Sequence, residues 1–182
     1  VFYSWKSINY EKVSDLILLG IFMSIGFLTK YLFIYLILTI KIFFVLQLIQ
    51  NKKFKIKLLI PGIIFLLFLT PHLIWLFQND FATIVYALNR TGIEENDFLS
   101  HIYNPFIFLV KQLGILTPVA LMFFSLTKIK KIDFKNLKKD RFFLLFINIF
   151  PIILIFLTSV VTGSKIRTMW MTPFYLFTGV LL

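Results

Sequence analysis

The chain has 182 residues, 59% of them hydrophobic, with a mean hydropathy of +0.91 and a formal net charge of +11. Soluble domains hold about 45–50% apolar residues, and a soluble fold must also build a polar exterior, so this excess of Phe, Leu and Ile excludes one soluble core. No cysteine is present, which excludes disulfides and thiol chemistry.

The apolar residues collect in long runs broken by short charged stretches, the hydropathy pattern of membrane spans. The chain starts inside an apolar stretch (Val1-Phe2-Tyr3-Ser4-Trp5) and stops inside another at Leu182, so the expectation is a central fragment of a longer protein. A bilayer core of ~30 Å takes about 20 helical residues. On that measure the expected spans are 13–29, 31–50, 58–77, 106–127 and 142–161, with a truncated sixth over 171–182. The first two are separated only by the bend Thr29-Lys30-Tyr31 and form a tight helical hairpin. The runs are continuous and lack the period-two alternation of a β-barrel strand. The expected fold class is therefore all-α, a multi-pass transmembrane helical bundle of about six spans. Pro61, Pro71, Pro118 and Pro151 fall near span ends or a turn or two inside, where membrane helices tolerate them.

The basic residues give the orientation. Residues 6–12 carry two, residues 51–57 carry four and residues 128–141 carry seven, together 13 of the 19. With alternating spans these three segments share one side, and the positive-inside rule makes that side cytoplasmic. The charge is thus a topology signal. The 128–141 run reads as a solvated loop, with anionic-lipid binding as the lesser alternative and nucleic acid excluded as a partner. Trp5, Trp75 and Trp170 fall at the expected membrane interfaces, where indole is favoured.

The opposite, outer side holds the Lys30 bend, the loop 78–105 and residues 162–170. Lys30 reads either as a snorkelling anchor or as a contact for a lipid phosphate. His72, several residues before its span ends, reads as a hydrogen-bonded helix contact or as a functional group facing the bundle interior. His72 and His101, with nearby carboxylates, are the candidate ligands for a divalent cation, although no local metal-binding spacing supports one. The loop 78–105 exceeds a minimal connection. Its Asp80 to Asn89 stretch mixes aromatic, apolar and polar residues and reads as an interfacial helix, stopped at Arg90 and Gly92. Arg90 suits a bidentate phosphate contact or a salt bridge to Glu94 or Asp97. Lys111 and Gln112 lie about one turn into the next span, and Lys165 and Arg167 form a second outer basic pair. Lys41 sits in mid-span without an assigned role. No Walker A, GxGxxG or HExxH motif occurs, so soluble nucleotide chemistry has no support.

Four segments carry a resemblance. Gly26-Phe27-Leu28-Thr29-Lys30-Tyr31, Pro71-His72-Leu73-Ile74-Trp75 with Gln78-Asn79-Asp80-Phe81, Gln112-Leu113-Gly114-Ile115-Leu116-Thr117-Pro118 and Lys165 to Tyr175 occur in the order and spacing of bacterial GT-C membrane glycosyltransferases. The chain resembles the polyprenyl-phosphate-mannose protein mannosyltransferases and the lipid A aminoarabinose transferase. The resemblance implies transfer of a sugar from a polyprenyl-phosphate donor to a lipid, glycan or protein acceptor on the outer face of a bacterial inner membrane. It implies Lys30, Arg90 and Lys165 as contacts for the lipid phosphate. It implies Tyr31, His72, Asn79 and Asp80 as cavity-lining residues. The family's catalytic carboxylate follows the first span, in a region preceding Val1, and none of Asp80, Glu94, Glu95 or Asp97 takes its place. Asp80 stands where Asn or Gly is expected. A transporter or flippase segment is the alternative from another class, for which no internal repeat is visible. An inactive remnant of the transferase is the third reading.

Overall fold

The computed structural model describes residues 1–51, 56–91, 97–126 and 139–176. Most of the 128–141 basic run, Gly92, Glu94, Glu95 and the end of the expected sixth span lie outside the described residues. The described residues are helical and contain no strand. In chain order the helices are α1 (Phe2–Tyr10), α2 (Val13–Thr29), α3 (Phe33–Asn51), α4 (Ile60–Gln78), α5 (Ala82–Asn89), α6 (Ser100–Leu126) and α7 (Lys139–Thr162), with short 3-10 turns at Ile56–Leu59, Thr168–Trp170 and Thr172–Tyr175. Four stretches are long and apolar enough to cross a membrane: Phe33–Gln50, Ile56–Gln78, Ser100–Met122 and Lys139–Thr162. Helix α2, at 17 residues, is apolar but shorter. Only 11% of the Ile56–Gln78 window is buried inside the protein, so most of that helix offers its apolar side chains to lipid. This is a helical membrane protein.

The chain divides into two compact units, Val1–Val85 and Tyr86–Leu182, with the division inside α5. In the first unit α2 is the central helix and packs on α1, α3 and α4. Leu19 and Met23 of α2 meet Ile37 of α3, with Tyr3, Phe27, Phe33, Ile34, Phe44 and Phe65 packed around them. The approach of α2 to α4 depends on small residues. A Cβ on Gly20 would lie 2.7 Å from the Ile64 Cβ and 2.8 Å from the Pro61 carbonyl oxygen. One turn on, the Ser24 hydroxyl bonds the Gly20 carbonyl at 2.9 Å and lies 3.3 Å from the Phe65 carbonyl. This small-xxx-small spacing lets two helix backbones come close where lipid supplies no hydrophobic drive. Pro61 opens α4, where its missing N–H costs nothing. Asp15, buried in the first turn of α2, has the Lys6 ammonium at 3.9 Å.

In the second unit α6 packs on α7. Phe108, Phe143, Ile147 and Ile155 are buried apolar residues of these two helices. The sequence places the start of the fourth span at 106, but α6 begins at Ser100. The Asp97 carboxylate accepts the Phe98 N–H at 2.7 Å, and backbone turns from Asp97 to Ser100 and from Phe98 to His101 lead into the helix. Pro105 therefore sits one turn inside α6 rather than before it.

Candidate functional site

The bend between α2 and α3 is built around Gly26. The Lys30 N–H and the Thr29 hydroxyl both bond the Gly26 carbonyl, at 3.2 and 2.8 Å. Lys30 itself is extended, with φ −158, which ends α2 and turns the chain into α3. The Phe33 ring closes over Gly26, where a Cβ would stand 2.5 Å from the nearest ring carbon. Helix α4 brings His72 to the same place. The Tyr31 hydroxyl lies 2.8 Å from His72 Nε2 and 2.7 Å from the Thr83 hydroxyl, a three-residue hydrogen-bonded chain joining the bend, α4 and α5. The His72 ring stacks on Trp75 with centroids 5.8 Å apart and planes at 13°. Leu28, Thr29, Lys30, Tyr31, His72, Trp75 and Thr83 line one cavity of about 420 Å³.

This wall has one formal cation, three hydroxyls and an imidazole beside an indole. It can bind an anionic oxygen through Lys30 and donate further hydrogen bonds from hydroxyl or imidazole. Tyr31 joins two partners at once, so its hydroxyl donates to one and accepts from the other. The imidazole tautomer sets which direction the chain runs.

The other expected residues fall as follows. Asn79 is exposed, and its amide donates to the Trp75 carbonyl at 2.8 Å. Asp80 is exposed and adopts φ 48, and Phe81 follows at φ 53. With the Ala82 N–H on the Asn79 carbonyl at 2.9 Å, these two residues form the centre of a tight reversal between α4 and α5. Left-handed backbone explains why Asn or Gly is expected at Asp80. Arg90 lies in the second unit, exposed, with its guanidinium donating to the Tyr86 hydroxyl at 2.8 Å. Lys165 is also in the second unit, and its N–H bonds the Thr91 carbonyl at 3.0 Å. Of the three phosphate candidates, the structure thus joins Arg90's neighbour to Lys165, while Lys30 lies in the first unit. Asp97 caps Phe98 and is no partner of Arg90. His101, in the second unit, bonds the Val160 carbonyl at 2.8 Å. Among the described residues no group of three or more His, Asp and Glu is placed to hold a metal ion.

Two residues that sequence reasoning passed over complete the picture. Thr83 holds the far side of Tyr31; nothing in its apolar surroundings marks it. Tyr175 donates its hydroxyl to Gln112 Oε1 at 2.6 Å, so two of the resembling segments, 63 residues apart, meet in the second unit.

A family model described as dolichyl-phosphate-mannose-protein mannosyltransferase matches residues 1–75. No curated protein and no solved structure matches the chain. The matched stretch contains the Lys30 bend, Tyr31, His72 and Trp75, and ends before Asn79. Over those residues the chain is similar to a membrane glycosyltransferase family, the dolichyl-phosphate-mannose-protein mannosyltransferases, in keeping with the resemblance of its Gly26–Tyr31 and Pro71–Trp75 segments.

Proposed function

We propose that the chain is part of an integral membrane glycosyltransferase that moves a sugar from a polyprenyl-phosphate donor to a lipid, glycan or protein acceptor. The observation that carries this reading is the cavity in which Lys30 stands beside the Tyr31–His72–Thr83 chain, built from residues almost all within the family match. In this reading Lys30 holds the donor phosphate and offsets the charge that grows on it as the sugar leaves. The Tyr31–His72–Thr83 chain leaves one donor at its end, the Thr83 hydroxyl or the His72 Nδ1–H according to the tautomer, to orient a phosphate oxygen, with Tyr31 fixing that end in place, and Trp75 closes the lipid-facing side. The cavity faces the outer surface of a bacterial inner membrane, with the lysine-rich segments in the cytoplasm.

Trp75 lines the cavity, so its fluorescence reports occupancy. Titration of the full chain in detergent with a short polyprenyl phosphate is expected to quench it. Lys30→Ala should weaken binding about tenfold or more, the scale of a hydrogen bond to a charged group. Tyr31→Phe should weaken it by about threefold, the scale of one neutral hydrogen bond. Unchanged affinity in Lys30→Ala sinks the phosphate assignment.

A further inference from the structure

Lys41 is an ion in the middle of a membrane span. It lies eight residues after the start of α3 at Phe33 and ten before its end at Asn51. At ~1.5 Å per residue those ends are about 12 and 15 Å away along the axis. The four-carbon lysine stem reaches about half of the shorter distance, so the ammonium cannot snorkel to either surface. The span Phe33–Gln50 holds no other charged residue. The Lys41 side chain is exposed, and among the described residues no carboxylate pairs with it. An ion at this depth is stable only against protein or water.

The residues around Lys41 make a seam. One side of α3 is taken by α2, where Ile37, Phe33, Ile34 and Phe44 pack with Leu19 and Met23. The opposite side shows Leu38, Lys41, Val45 and Ile49, the three apolar ones 39, 52 and 67% exposed. Their steps of three, four and four residues put them in one stripe along the helix, the spacing of a helix-packing seam. Lipid satisfies the apolar members of that stripe but not the ammonium. A second helix satisfies both if it brings an acceptor to the same depth. A carboxylate supplies the lone pairs and the counter-charge together, whereas a neutral acceptor leaves a net charge in a low dielectric. A single polar residue in an apolar seam also fixes the register of whatever docks there. A second copy of the chain does not supply the carboxylate. All eight acidic residues of the sequence lie at the ends of the expected spans or between them, so none stands at mid-depth.

We propose that the face of α3 made by Leu38, Lys41, Val45 and Ile49 docks a transmembrane helix of a partner polypeptide that carries one aspartate or glutamate at mid-depth. The proposal does not rest on the transferase reading. Its test uses the full chain in phosphatidylcholine vesicles, labelled through Gln50→Cys, since the chain has no cysteine of its own. The probes are leucine-alanine transmembrane peptides with Glu, Gln, Lys or Leu at the centre. Energy transfer should show the Glu peptide binding about tenfold more tightly than the Gln peptide, the margin of a charge-assisted over a neutral hydrogen bond. The Leu and Lys peptides should bind more weakly still. Lys41→Leu only extends the apolar run, so it keeps the helix, and it should erase the preference for Glu. Lys41→Glu should transfer that preference to the Lys peptide. A disulfide should form from Val45→Cys to a cysteine one turn from the peptide's Glu, but not from Phe22→Cys, which is exposed on α2. Equal affinity for the Glu and Leu peptides overturns the proposal. So does a preference for Glu that survives Lys41→Leu, or crosslinking as strong at Phe22→Cys as at Val45→Cys. Energy transfer between two copies of the chain that is lost in Lys41→Leu assigns the face to self-association and overturns it as well.

Discussion

Replacing Gly20 with leucine should push α2 off α4 and unfold the first unit of the chain. The new Cβ alone would stand 2.7 Å from the Ile64 Cβ and 2.8 Å from the Pro61 carbonyl oxygen. Neither neighbour is the loose end of a side chain, so the clash is relieved only by moving a helix. Overpacking of this kind costs roughly 1–3 kcal/mol for small additions. Against it, alanine gains up to about 1 kcal/mol of helix propensity over glycine. Gly20→Ala should therefore lower stability by about 1–2 kcal/mol. Gly20→Leu adds three more carbons to the same gap and should exceed about 3 kcal/mol, a large share of the ~5–15 kcal/mol that holds a typical domain. Gly114 is the control. Nothing lies within 4 Å of a Cβ there, so Gly114→Ala should be neutral or gain up to about 1 kcal/mol. Denaturant unfolding of the full chain in mixed micelles measures all three. Equal stability for Gly20→Leu and Gly114→Ala refutes the close approach of α2 and α4.

That contrast shows where the sequence is informative and where it is not. Hydropathy alone reveals that the chain is helical and apolar enough for a membrane, because span length and charge spacing are set by the bilayer. It does not distinguish Gly20 from Gly114. Both are single glycines in apolar runs, and only the partner helix decides which one is crowded. The Lys30 bend and His72 are readable because a cation at a break and an imidazole inside an apolar run are costly unless something faces them. Their meeting through Tyr31 is a tertiary fact, fixed by how α4 docks on α2. Thr83 gives no signal, since threonine in an interfacial helix is common. Asp80 carries a signal of a different kind. Its charge suggests a role in the chemistry, yet its left-handed backbone shows a turn residue. Arg90 and Lys165 are both named as phosphate contacts by the resemblance, but the bond between their surroundings is, like the Gly20 contact, a tertiary fact. They are 75 positions apart, and the bond that joins their surroundings is between backbones.

Asn104→Leu should damage the second unit although it removes no charge. The Asn104 amide is buried and donates to the Gly163 carbonyl at 2.6 Å. Leucine is close in volume but cannot donate, so a buried carbonyl just past the end of α7 loses its side-chain partner. An unsatisfied buried group costs about 1–3 kcal/mol. The loss does not stop at stability. Gly163 stands two residues before Lys165, and its left-handed turn sets the direction in which the chain leaves α7. With that turn released, the backbone bond from the Lys165 N–H to the Thr91 carbonyl loses its support. The expected result is a fall of about 2 kcal/mol in unfolding free energy together with faster amide exchange at Lys165, while polyprenyl phosphate still quenches Trp75. Asn104→Gln keeps the amide and should recover part of both losses. If Asn104→Leu lowers stability but leaves amide exchange at Lys165 unchanged, the Asn104 bond does not hold the segment after α7, and α6 does not set its course.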